Sequence, residues 1–366
     1  MYNNIMADFL FANLIFNYSG NDPDGQSQAV ATLNNNSPIL LNPSQYYLFV
    51  SRFIVNGYNT PLIVPQVVSN QSNPNLTIYN VALSFNGTFS DPIPIIYVPA
   101  SNNLPVPSAV GQYQDVSSQY YYIYTYNALC SMINTAFLDA LTNLNTKIAT
   151  GATEAPICYY DINNGITIKA PVANYGQDEF NPTPPNGFVQ IYVNAACAPF
   201  FNGQNLSLLT NVTNCNWRIM LFPSVSNLSS DGDYFIQPPQ NIQESNNVPS
   251  IQSYQVVTSM PIVQELSATP ATSGITQAVP YNQISILTDL APDNSNPVGY
   301  GTDQLYNQVS SLRLCELSSS DPLILISAKI QWQDQFGRTF PLLLGQGVQC
   351  SIKFGFIKKS VYKGIR

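Results

Sequence analysis

LISAKIQWQDQFGRTFPLLLGQGVQCSIKFGF, residues 325–356, reads as strand, turn and strand. The first strand is expected over Leu323 to Gln333 and the last over Gly347 to Ile357. Asp334-Gln335-Phe336-Gly337 forms a hairpin-like turn after the first. β-branched and aromatic residues fill both runs, as a pleated surface prefers. Upstream, Ser253 to Val263, Gln283 to Asp289 and Ser311 to Leu317 read the same way, which makes five strands in the C-terminal part.

The N-terminal part supplies three more. Tyr46 to Asn56 (YYLFVSRFIVN) is nearly continuous in apolar residues, as in a strand buried on both faces, with Arg52 its one charge. Residues 76–88 form a second strand. Ile95 to Val98 forms a third, marked as an edge by Pro92 and Pro94. Three and five make the eight strands of a jelly roll. The expected fold class is therefore all-β: a single jelly-roll sandwich base with an inserted, mostly β upper domain carrying one helix. The boundaries read as an arm over 1–44, the first part of the base over 45–99, the insertion over 100–250, the second part of the base over 251–357 and a basic tail over 358–366.

Inside the insertion, Tyr120 to Tyr124 reads as an aromatic strand, and Thr125 then caps a helix over roughly 126–147. Leu129, Met132, Ile133, Ala136, Phe137, Ala140, Leu141 and Leu144 recur at helical spacing, so one face packs onto a sheet. A hairpin follows, from Ile157 to Tyr160 and back from Ile166 to Ala170. Phe188 to Val193 and Trp217 to Phe222 are further strands, and 224–250 is a polar linker.

Composition bounds the chemistry. The chain has 366 residues, 9% of them charged and 45% apolar, with 28 prolines and 23 tyrosines. Asn, Gln, Ser and Thr replace the missing charge. Neutral polar groups cost less to desolvate than charges, so this surface suits faces that meet other protein. There is no histidine, which excludes Ser-His-Asp and Cys-His catalysis within the chain. The cysteines, 130, 158, 197, 215, 315 and 350, show no C-x-x-C pair and no zinc spacing, and they read as buried free thiols in a reducing compartment. No phosphate loop is present. Asp231-Gly232-Asp233 and Asp22-Pro23-Asp24-Gly25 read as turns. No catalytic residue, cofactor site, metal site or small-molecule substrate is expected. The tyrosines of 120–126 read as core. The N-terminus does not read as a secretory signal.

Net charge is −8, yet five of the twelve basic residues, Lys353, Lys358, Lys359, Lys363 and Arg366, fall in the last fourteen positions. They read either as a contact to nucleic acid or membrane or as a frayed solubilising end.

SRFIVNGYNTPLIVPQV (51–67), YYYIYTYNALCSMINTAF (120–137), SILTDLAPD (285–293) and the opening stretch, with Trp332, Asp334, Phe336 and Gly337, together resemble the minor capsid, or penton, proteins of virophages and polinton-like viruses. The resemblance implies a homopentamer at the vertices of an icosahedral double-stranded DNA virus, assembled in the host cell. Its partners would be the major capsid protein and other minor capsid proteins. The base would face the capsid interior, and the insertion is placed to touch a host receptor or glycan. A carbohydrate- or receptor-binding jelly-roll module is the alternative. A β-sandwich hydrolase is the weakest reading, for want of histidine and of any acid cluster.

Overall fold

The computed structural model describes residues 8–18, 26–57, 60–68, 72–110, 113–161, 165–175, 186–210, 214–222, 228–238, 251–263, 285–291, 303–307, 313–334 and 337–365. The chain forms two compact units, 1–60 with 251–366, and 61–250.

Eight strands form the two main layers of the first unit, with the short strands Gln26–Gln28, Cys315–Glu316, Thr339–Pro341 and Leu343–Gly345 beside them: β1 (Phe9–Asn17), β2 (Val30–Asn34), β3 (Tyr46–Asn56), β4 (Ile251–Thr258), β5 (Ser285–Leu290), β6 (Asp303–Asn307), β7 (Leu325–Asp334) and β8 (Gln349–Lys358). They pair antiparallel in two sheets, ordered β1-β8-β3-β6 and β2-β7-β4-β5. Consecutive strands alternate between layers, except that β4 and β5 are neighbours in one layer, and this is the strand order of a jelly roll. The interior is made by alternate side chains. Leu14, Phe16, Leu48, Val50, Phe53, Val55, Ile352, Phe354 and Phe356 come from the first sheet, and Tyr254, Val256, Leu287, Ile326, Ile330 and Trp332 from the second, all buried.

The count of three strands before the interruption and five after it describes this sandwich, but the first three are not those expected. Residues 1–44, read as an arm, contain β1 and β2. The strands Leu76–Phe85 and Ile93–Ile96, read as base, lie in the 61–250 unit. In β1 the asparagines alternate with the buried Ala12, Leu14 and Phe16, so Asn13 and Asn17 mark the outer face of the strand and do not interrupt it. In the last third of the chain, the run Ser311 to Leu317 keeps only Cys315–Glu316 as strand, beside β3, and residues 308–312 lie outside those described.

The turn after β7 explains much of the opening motif. Asp334 is fully buried, and its carboxylate accepts from Arg338 Nε at 2.6 Å and from the Arg338 backbone N–H at 2.8 Å. Gly337 takes a φ of 76°, which an L side chain rarely adopts. Arg338 lies over the Phe340 ring, and Phe340 stacks on Trp332 with centroids 4.3 Å apart. Phe336 lies outside the described residues.

The second unit is held around α1 (Tyr126–Lys147). Thr125 Oγ1 accepts from Ala128 N–H at 3.2 Å and starts the helix. All eight expected apolar residues are buried, with Cys130 beside them. The helix packs on Leu76–Phe85, Ile93–Ile96 and Ile157–Asp161. Leu76–Phe85 pairs with Val189–Val193, and Ile157–Asp161 with Gly165–Pro171. The expected aromatic strand at Tyr120–Tyr124 is instead a 3₁₀ turn over Gln119–Tyr121 followed by a single bridge from Ile123 to Ile63. Ser118 caps that turn, and three consecutive buried tyrosines fit a tight turn better than a two-sided strand.

Candidate functional site

The outer face of the sheet β1-β8-β3-β6 carries exposed apolar side chains around a cationic row. Its register sets out three rows: Phe11, Gly355 and Phe49; Asn13, Lys353 and Arg52; Ile15, Ser351, Ile54 and Leu305. Phe9, Phe11 and Ile15 on the edge strand are 44%, 50% and 53% exposed, and Leu305 on the opposite edge is 59% exposed. A lone exposed apolar residue is ordinary; several aligned on one sheet face with an open edge invite another surface.

The middle row is cationic. Arg52 and Lys353 sit directly opposite each other, where like charges repel. A β-bulge puts them there. Between Lys353 and Phe354 the register shifts, Ser51 becomes the extra residue of β3, and its hydroxyl donates to the Lys353 carbonyl at 3.2 Å. Before the bulge Tyr46, Leu48 and Val50 point inward; after it Phe53 and Val55 do. Without the shift Arg52 would fall in the inward phase of the strand. The sequence showed Arg52 as the one charge of a buried strand, and only the register explains how it escapes.

Among the described side chains, Lys353, Lys358 and Lys359 take different places. Lys353 stands in the middle of β8 with Nζ 4.7 Å above the Phe11 ring. Lys358 ends the strand, its backbone N–H donating to the Asp8 carbonyl. The segment read as a tail continues as a helix, α2 (Lys359–Ile365). Lys359 bonds Glu316 at 3.3 Å and lies over the Tyr47 ring, against which Tyr362 packs edge-on at 5.6 Å. This packing seats α2 on the end of the sheet. Lys363 lies within α2, and Arg366 lies outside the described residues. Nearby, burial and then the Asp8 carboxylate hold the Tyr46 phenol above its ordinary pKa.

Elsewhere the surroundings favour packing over chemistry. Tyr120, Tyr121 and Tyr122 are buried, and Tyr126 stacks flat on Tyr160 at 4.0 Å. An apolar cavity between Ile63, Tyr79, Ile95 and Met132 has room of about 10 Å³, far below the hundreds of cubic ångströms a small ligand needs. Among the described residues, no three His, Cys, Asp or Glu side chains stand together as a metal site, and no helix is long and apolar enough to cross a membrane.

Eight strands in this order, interrupted after the third, make a jelly roll, the sandwich of many viral capsid proteins and of lectins. The chain belongs to the family of the Sputnik minor capsid protein V18/19, whose family model matches residues 10–358. It is a minor capsid protein, a virion component and not an enzyme. It is 34% identical over 150 residues to the uncharacterised protein V18 of Sputnik virophage, a match covering 40% of this chain and 89% of that one. A chain in the cryo-EM structure of the Sputnik virophage superposes with a TM-score of 0.80 at 27% identity, covering 97% of this chain and 99% of that chain. The mavirus penton protein shares the fold, with a TM-score of 0.61 at 14% identity over 95% of this chain and 99% of that chain.

Proposed function

We propose that this minor capsid protein is the subunit of a pentamer standing on the fivefold vertices, held there by neighbouring copies and by the major capsid protein. The observation that carries the proposal is the outer face of the sheet β1-β8-β3-β6, where Phe9, Phe11, Ile15 and Leu305 are left half exposed around Arg52 and Lys353. A monomer in water gains nothing from that arrangement, whereas burying it against another chain contributes roughly 25 cal/mol per Å² of apolar area. The penton fold of the mavirus relative supports the same reading.

The test is a double substitution, Phe11→Glu with Ile15→Glu. Both side chains point away from the core, so the chain is expected to fold as before, with a small drop in melting temperature from the lost packing of Phe11 on Phe49 and Lys353. Sedimentation of the unmodified chain is expected to find five copies; the variant is expected to sediment as a monomer and to be missing from vertices in electron micrographs. A fully assembled variant, or an unmodified chain seen away from the fivefold axes, overturns the proposal.

In this reading the sandwich sits among its capsid neighbours, and the 61–250 unit carries whatever contact the virion makes with a host receptor or glycan. A glycan array probed with purified particles checks that contact. The basic residues Lys358, Lys359, Lys363 and Arg366 serve as the nucleic-acid contact, with Lys359 partly neutralised by Glu316, whereas Lys353 belongs to the face that meets another chain. Removing 358–366 would also strip the Tyr362–Tyr47 packing, so replacing Lys358, Lys363 and Arg366 with Gln tests charge alone. Genome retention is expected to fall, and the salt dependence of DNA binding to flatten by about 0.7–0.9 log units for each phosphate no longer neutralised. Unchanged genome content removes the inner-face role.

A further inference from the structure

We propose that Cys130 and Cys158 are a disulfide-forming pair, reduced when the chain folds and closed afterwards by a small-molecule disulfide of the glutathione class. Cys130 lies on the buried face of α1 and Cys158 is the second residue of Ile157–Asp161; they are 3% and 1% exposed. The Cys158 thiol donates to Cys130 Sγ at 3.4 Å.

Their approach is fixed by more than packing. Asn134 stands one turn from Cys130 on the same side of the helix. Its side-chain amide donates to the Cys158 carbonyl at 2.9 Å, and its Oδ1 accepts from the Cys158 N–H at 2.6 Å. Both backbone polar groups of Cys158 are thus clamped to the helix that carries Cys130. Bringing the sulfurs to a bonding distance of about 2.05 Å asks for a contraction near 1.4 Å, within reach of small side-chain rotations. All six cysteines are free thiols in the structure, so the link is not part of the fold as it stands.

The chemistry balances through thiol–disulfide exchange. One cysteine thiolate attacks a sulfur of the small disulfide and expels one small thiolate, leaving a mixed disulfide. The second cysteine thiolate attacks the protein-bound sulfur and expels the other. Two protein thiols are oxidised, one small disulfide is reduced to two thiols, and the two protons pass to the leaving thiolates. Hydrogen bonding to Cys130, followed by burial, holds the Cys158 thiol well above its ordinary pKa, so the first step waits for local opening. Closure is therefore slow compared with folding, and it locks a helix–strand contact that has already formed. The proposal is independent of the vertex assignment; its failure leaves that assignment untouched.

The experiment uses the purified full chain, incubated with glutathione disulfide at mildly alkaline pH for hours, quenched, alkylated in denaturant and mapped by peptide mass spectrometry. The expected result is loss of two of the six thiols, a Cys130–Cys158 link, and a rise of about 5–10 °C in the melting of the 61–250 unit. Dithiothreitol is expected to reverse the rise, and a Cys130→Val, Cys158→Val double variant to show none. Six alkylated thiols after prolonged incubation, a link at Cys197 and Cys215 instead, or a Cys130–Cys158 link that lowers the melting temperature overturns the proposal.

Discussion

The sandwich and the 61–250 unit are held by a different balance of bonds. In the sandwich the longest bonds in sequence are strand ladders: β8 pairs with β1 along nine register positions and with β3 on its other side. In the 61–250 unit, side chains bond distant backbone. Asn134 clamps Cys158, Asn194 accepts from the Asn80 N–H and donates to the Ile78 carbonyl, Tyr121 donates to the Pro74 carbonyl, and Gln204 bridges the carbonyls of Ile166 and Gln237. The neutral amides and phenols that make the chain so poor in charge are therefore internal fasteners as well as surface. Phenols and thiols buried this way stay protonated, which makes the two units respond differently to alkali.

That difference gives the largest expected effect. Burial holds the Cys197 thiol and the phenols of Tyr126 and Tyr175 well above their ordinary values, and the hydrogen bond to Cys130, followed by burial, does the same for Cys158. In the sandwich the corresponding groups are Tyr254, pushed up to about 12, and Cys350, pushed up to about 11. A raised pKa contributes stability that is complete below the unfolded value and is lost as pH rises through the folded one. Each pH unit above the ordinary ionisation then costs about 1.4 kcal/mol per buried group. The 61–250 unit is expected to unfold first as pH climbs from about 9 to 11, seen as loss of amide protection there before β8. Simultaneous loss in both units would erase the contrast.

Asp334→Ala sharpens the comparison from the other side. It leaves Arg338 half buried against Phe340 without its carboxylate and is expected to cost about 3–5 kcal/mol. Urea melts should show the sandwich transition moving and the other staying. Asn134→Ala is the mirror case. It strips both backbone bonds from Cys158 and is expected to cost about 2–3 kcal/mol in the 61–250 unit alone.

The smallest expected effect falls on the outer face of the sandwich. A Cβ at Gly355 would come within 2.2 Å of the Phe49 ring. Gly355→Ala is expected to cost about 1–2 kcal/mol, as the ring tilts away. Adding Phe49→Leu should recover most of the loss if the clash with that ring is the cause, and a thermal melt of the pair decides it.

These contrasts mark how much was legible. α1 was readable to its ends, because Thr125 and an unbroken 3.6-residue spacing are local signals. β3, β4, β7 and β8 were readable as strands for the same reason. Their partners were not, because nothing within Leu76–Phe85 says that it pairs with Val189–Val193 and not with the sandwich. β1 was missed because its buried alternation uses a small residue, Ala12, and its outer positions include Asn13 and Asn17. Basic residues could be found by counting along the chain, but the meeting of Lys353 with Arg52 depends on a bulge. The meeting of Cys130 with Cys158 depends on a helix docking on a hairpin.

β8 lies between β1 and β3 in its sheet, although it follows β3 by nearly three hundred residues. A ribosome adding roughly 5–20 residues per second needs about 15–60 s to pass from one to the other. Throughout that interval β1 and β3 have emerged without the neighbour that joins them, while everything between Pro61 and Ser250 is already complete before β8 is made. The inserted unit can therefore fold during synthesis. The sandwich closes only after translation of its last strand, and until then the nascent chain carries two apolar strands without the one that joins them.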